Sequence, residues 1–83
     1  MYIPTLDAVT VGKVIAQFRS EKGISQEVLS GLADIGRSHL SAIERGERKP
    51  TLETFYRICN ALDMPMSTVA HAIEDALQQD LHA

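Results

Sequence analysis

The 83-residue sequence holds a single cysteine, Cys59. That excludes an intramolecular disulfide framework and any zinc site built from several thiolates, and it points to a reducing, cytoplasmic setting. Apolar runs never exceed a few residues, so no membrane-spanning helix is expected. Residues 1–11 lack Lys and Arg and carry no long apolar core, which argues against a signal peptide. There is no Gly-rich phosphate loop. His39, His71 and His82 have no ligand spacing with one another or with Cys59. No metal, cofactor, small-molecule ligand or enzymatic activity is therefore expected. Internal repeats, low-complexity segments and the two-residue alternation of strands are also missing. What remains is one small all-α domain, residues 1–83, with a modest core.

The formal net charge is −3, which does not favour a polyanionic partner, but the distribution matters more than the total. Residues 12–50 hold seven bases against five acids. Residues 51–83 hold Arg57 alone against Glu53, Asp63, Glu74, Asp75 and Asp80. One end is basic and the other acidic, a polarity that can orient the molecule toward phosphates while limiting non-specific adhesion.

The most informative stretch is residues 25–50, SQEVLSGLADIGRSHLSAIERGERKP. Ser25 is a good N-cap, and Leu29, Leu32 and Ala33 follow at helical spacing. Asp34 stands where a left-handed turn residue is wanted, Ile35 is an anchor between helices, and Gly36 is a weak N-cap. Leu40 and Ile43 then form a second apolar face, Gly46 stops that helix, and Pro50 forbids an early restart. Helix, short turn and helix in about 20 residues is the footprint of a helix-turn-helix. Gly31, inside the first of these helices, costs roughly 1 kcal/mol relative to Ala unless a packed neighbour requires it.

Around this pair the chain predicts three further helices. Residues 1–6 read as an extended apolar arm. Asp7 or Thr10 caps a first helix running to about Lys22, with Val11, Val14, Ile15 and Phe18 as its apolar stripe and Gly23 as its stop. Thr51 caps a fourth helix whose inner face is assigned Leu52, Phe55, Ile58, Cys59 and Leu62. After the break at residues 63–65, a fifth helix runs from about Met66 to Gln79, with Leu81 beyond it on a fraying tail.

Residues 11–65 resemble the lambda-repressor/Cro-like (XRE) helix-turn-helix domain. The resemblance rests on VGKVIAQFRSEKGIS, SQEVLSGLA and RSHLSAIERGERKPTLETFYRICNAL. Ser30, Asp34 and Gly36 depart from the usual Ala, Gly and Ser or Thr. The resemblance implies a compact five-helix bundle that binds double-stranded DNA, with the helix at 37–45 in the major groove. Arg37, Ser38, Ser41 and Ala42 become the expected base contacts: a guanidinium suits the O6 and N7 edge of guanine, and Ala42 can meet a thymine methyl. Gln26, His39, Arg45, Arg48 and Lys49 become the expected phosphate contacts, which fix register without reading sequence. Arg19 and Glu44 match a pair that forms an internal salt bridge in similar proteins.

A single recognition helix reads half a two-fold site, so a homodimer is expected. Met66, Ala70, Ile73 and Leu77 recur at spacings of 4, 3 and 4 and are assigned to the dimer interface, residues 66–83 being the dimerising element. The expected role is a dimeric repressor or autoregulatory controller. The alternative is an antitoxin-like module whose C-terminal helix binds a partner protein.

Overall fold

Short polar side chains open three of the five helices in the computed structural model, which describes the backbone of residues 2–82 and the side chains of residues 2–79. The helices are α1 (Ala8–Glu21), α2 (Gln26–Ala33), α3 (Arg37–Glu44), α4 (Leu52–Ala61) and α5 (Met66–His82). Asp7, not Thr10, caps α1: its carboxylate accepts from the Thr10 N–H at 3.1 Å and the Thr10 hydroxyl at 2.8 Å. These bonds hold the Asp7 carboxyl below its ordinary range. Its contribution to the cap is therefore present above that range and fades as pH falls through the lowered value. Ser25 accepts from the Val28 N–H and Thr51 from the Thr54 N–H, each at 3.1 Å. Gly36 has the extended conformation of an N-cap but no side chain to offer, so α3 begins uncapped.

The first four helices end in one and the same way. A left-handed residue follows each: Gly23 (φ 70°), Asp34 (φ 55°), Gly46 (φ 78°) and Asp63 (φ 58°). Its N–H returns three residues back, and the next residue's N–H returns five back: Ile24 to Arg19, Ile35 to Ser30, Glu47 to Ala42 and Met64 to Cys59. This pair of bonds is the Schellman closure, which satisfies carbonyls that would otherwise be orphaned. Ile24, Ile35 and Met64 then pack against the core as the apolar member of that motif. At the end of α3 the same place is taken by exposed Glu47.

The core is drawn from every helix. Ile15, Leu29, Leu40, Ile43, Ile58, Leu62 and Val69 are its largest fully buried apolar side chains besides Cys59. α1 lies across α3 and α5, and α2 packs on α4, so α3 is backed by the rest of the bundle. Burial pushes the Cys59 thiol up to about 11.

Four sequence expectations change. Leu52 is 75% exposed rather than inward. It is the first residue of α4, and the stripe through Phe55, Ile58 and Leu62 drifts around the helix, leaving its first member at the edge with nothing over it. Leu32 is likewise exposed on α2. Ile73 is only 5% exposed, at the centre of the inner face of α5 one turn from Val69, so the core already occupies it. The heptad-like spacing cannot separate a core stripe from a partner stripe when both lie on one broad apolar face. α5 also continues in backbone to His82; the side chains of Asp80, Leu81 and His82 lie outside the described residues.

Candidate nucleic-acid interface

α3 has eight residues and is roughly 12 Å long. Leu40 and Ile43 are buried, which forces the remaining side chains outward. Arg37 and Ser38 are exposed; His39, Ser41 and Ala42 are half-buried. The outward face is small and polar apart from Arg37 and His39, so a groove wall can come close to the helix backbone. Arg37 makes no salt bridge or side-chain hydrogen bond among the described residues, leaving its planar fork available for a bidentate acceptor.

Glu44, the last residue of α3, anchors that helix to two others. Its carboxylate accepts from Arg19 Nε at 2.7 Å and Arg19 Nη2 at 2.9 Å. It also accepts from Gln26 Nε2 at 2.9 Å. Arg19 Nη1 meanwhile donates to the Ile24 carbonyl at 2.9 Å. The pair is nearly out of water, the Arg19 and Glu44 side chains being 19% and 5% exposed. One carboxylate thus ties α1, the start of α2 and the end of α3 together, and it fixes Gln26 at the first position of α2.

Two glycines let the helix and its loop seat. At Gly12 a Cβ would collide with the Ile43 carbonyl oxygen and lie 2.7 Å from the Glu44 carbonyl oxygen, so α1 touches the backbone of α3 directly. At Gly46 a Cβ would meet Val9 Cα at 2.7 Å. Gly31 is the reverse case: a Cβ there meets nothing within 4 Å, so no packed neighbour requires it. The close approach at Gly12 escaped the sequence reading. Its only trace there is a glycine beside the apolar stripe of an otherwise good helix.

Residues 45–49 carry the loop cations. Arg48 and Lys49 are exposed and make no salt bridge among the described residues. Arg45 differs. Its Nε donates to Glu47 Oε2 at 2.6 Å, its Nη2 to Glu47 Oε1 at 3.1 Å, and its Nη1 to the Ser41 hydroxyl. Each partner favours the other's charged form: Arg45 is raised and Glu47 lowered, chiefly by their hydrogen bonds. Sequence reasoning treated Arg45 as an open cation and gave Glu47 no role.

The remaining assigned residues lie elsewhere. Met66, Ala70 and Leu77 are half-buried and pack against the core. Leu6, Pro50, Leu52, Phe55, Ala70 and Ile73 are among the residues lining an apolar groove of about 350 Å³ between the arm, the start of α4 and α5. Among the described residues there is no group of His, Cys, Asp and Glu that could hold a metal, and no helix long and apolar enough to cross a membrane.

Comparison with known proteins agrees with the five-helix fold. A helix-turn-helix family model matches residues 15–69. The uncharacterized HTH-type transcriptional regulator y4dJ of Sinorhizobium fredii is 40% identical over 52 residues, covering 63% of this chain and 68% of the relative. The transcriptional regulator ClgR of Mycobacterium tuberculosis is 37% identical over 59 residues, covering 71% of this chain and 53% of the relative. The chain thus spans about half the length of ClgR. Among solved structures, the restriction-modification controller protein C.AhdI from Aeromonas hydrophila superposes with a TM-score of 0.74 at 32% identity, over 78% of this chain and 98% of that one. The controller protein C.Esp1396I, solved as a tetramer in complex with its natural 35 base-pair operator, gives a TM-score of 0.81 at 25% identity, over 90% and 99% of the two chains. The matched segment contains α2, the turn at Asp34 and α3, and by sequence and fold this chain belongs to the XRE, or lambda-repressor-like, family of helix-turn-helix DNA-binding regulators.

Proposed function

We propose that this chain is a cytoplasmic, non-enzymatic transcription regulator that reads a two-fold operator in duplex DNA as a homodimer. The observation that carries the reading is the outer face of α3, where exposed Arg37 and Ser38 and half-buried Ser41 and Ala42 lie on the side away from Leu40 and Ile43, on a helix braced from behind by Glu44. A helix of this width fits the major groove, where each base pair shows a distinct pattern of donors and acceptors. Gln26, His39, Arg45, Arg48 and Lys49 border that face and take the phosphates. Repression by occlusion of a promoter is the simplest mode of action, because the domain needs only to be bound in order to act.

Selection of bound fragments from a random duplex pool tests the reading. The expected product is a pair of inverted half-sites about one turn, ~34 Å, apart. On the selected duplex Arg37→Ala weakens binding by about 1–3 kcal/mol and relaxes preference at one base position. Equal affinity of the wild type for selected and unselected duplex would sink sequence-specific reading.

The homodimer face is assigned to the half-buried flank of α5, Met66, Ala70 and Leu77, continued across the apolar groove to Leu6 and Leu52. Ile73, only 5% exposed, supports this face from the floor of that groove. Leu52 decides the matter because its side chain is exposed and contributes little to the folded chain. Leu52→Asp leaves the urea midpoint within error of the wild type and yields a monomer in sedimentation. A Leu52→Asp protein that still sediments as a dimer would place the interface elsewhere.

A further inference from the structure

The closure at the end of α3 breaks a pattern that the other three keep. Where Ile24, Ile35 and Met64 turn an apolar side chain into the core, Glu47 turns a carboxylate outward beside Arg45. Its backbone is not free to wander. The Glu47 N–H is bonded to the Ala42 carbonyl at 2.9 Å, and Gly46 is seated against Val9. From that fixed base the carboxylate takes two N–H groups of Arg45 in the side-by-side arrangement that a phosphate would use. The third nitrogen of Arg45 is held by the Ser41 hydroxyl. Each of the three guanidinium nitrogens therefore makes one bond within the free protein, and the oxygen of Ser41, a base-reading candidate, is engaged by the same group.

We propose that Glu47 acts as an internal stand-in for phosphate at Arg45, and that this latch discriminates operator from random DNA. The inference rests on the DNA-binding reading above and adds to it a residue that sets specificity without touching a base. Opening the latch frees Arg45 and Ser41 together and leaves Glu47 as an unpaired anion near the duplex. On random DNA a phosphate can replace Glu47 at Arg45, but the Ser41 hydroxyl gains no base partner and the freed carboxylate is repelled. The latch stays shut and Arg45 neutralises no phosphate. On an operator that offers the Ser41 oxygen a base-edge donor in place of Arg45, such as an adenine N6 or cytosine N4 amino group, both released groups are taken up and the latch opens. An exposed ion pair is weak enough to exchange in this way, since such pairs contribute little in water.

Salt titration on two duplexes separates these states, because each phosphate neutralised changes the slope of log affinity against log salt by about 0.9. The probes are a random-sequence duplex and a duplex recovered by selection. Glu47→Gln is expected to steepen the random-duplex slope by about 0.9 and raise that affinity roughly 3- to 10-fold near 0.1 M salt. The slope on the selected duplex stays as in the wild type, so discrimination falls. Glu53→Gln, which removes the same charge from the exposed Arg57 pair on α4, leaves both slopes unchanged. In an Arg45→Gln background Glu47→Gln has no effect on either slope. The latch is overturned if Glu47→Gln leaves the random-duplex slope unaltered, if both slopes steepen together, if Glu53→Gln reproduces the effect, or if the effect survives loss of Arg45. A wild type that binds neither duplex at low salt defeats the DNA-binding reading itself, and the latch with it.

Discussion

Glu44→Gln is expected to lower the stability of the domain by about 2–4 kcal/mol, somewhat below the cost of breaking a fully buried pair because the Arg19 side chain keeps 19% of its exposure. The carboxylate receives three donors, two from Arg19 and one from Gln26. A glutamine in its place has one acceptor oxygen and turns an NH2 toward a guanidinium that can only donate. Arg19 keeps its bond to the Ile24 carbonyl but loses its counter-charge while retaining little access to water. Against a total of roughly 4–12 kcal/mol for a chain of this length, such a loss is a large fraction. Urea unfolding reads it as a lowered midpoint at unchanged slope. A loss below about 1 kcal/mol would mean that the pair behaves like a surface bridge. Because Glu44 ends α3 and holds Gln26, DNA affinity at temperatures well below the transition should fall as well.

Gly12→Ala is the second large effect. The substitution improves helix propensity by about 1 kcal/mol. It also drives a methyl group into the carbonyl oxygens of Ile43 and Glu44. Those atoms are backbone inside a helix and have no rotamer to yield with, so α1 must withdraw from α3. Overpacking of a close joint costs about 1–3 kcal/mol and more where backbone must move. A net loss of about 2–3 kcal/mol corresponds to a Tm lower by roughly 10–20 °C for a domain of this size. Gly31→Ala is the internal control: with open space around it, the same change on α2 raises Tm. If the two alanines shift Tm in the same direction, the contact at Gly12 is softer than its geometry indicates.

These two glycines show where sequence reasoning stops. Both sit inside helices of good amphipathic pattern, and each carries the same local penalty. Only the atoms across the joint tell that one is required and the other tolerated. Helix starts and stops were open to reading because their cause is local. Asp7, Ser25 and Thr51 accept from an N–H three residues on, and Asp34 has the left-handed conformation its place in the turn demands. The face of each helix was open to reading only where the apolar stripe is narrow. On α3, Leu40 and Ile43 leave no doubt about which side is out. On α5 the apolar face is broad, and the spacing that suggested a partner seam ran through Ile73, which the core has taken. Leu52 failed for the opposite reason, an apolar residue at the right interval in a place that no other helix covers. Glu47 could not have been found from composition, since one acid among loop cations looks like ordinary charge balance until its backbone closure and its two bonds to Arg45 are seen together.

The carboxylate that joins three helices has a thermodynamic consequence for recognition. With α3 held through Glu44 to Arg19 and Gln26, and laid directly on α1 at Gly12, the reading face is set before DNA arrives. Docking then need not order a segment, and the conformational entropy that a flexible reader surrenders on contact has been surrendered at folding. A rigid head gains in residence time what it gives up in tolerance. On the proposed reading, a helix angle held in this way leaves little room to adapt to a poor site, so discrimination against mismatched operators would arise partly from a contact that never meets a base.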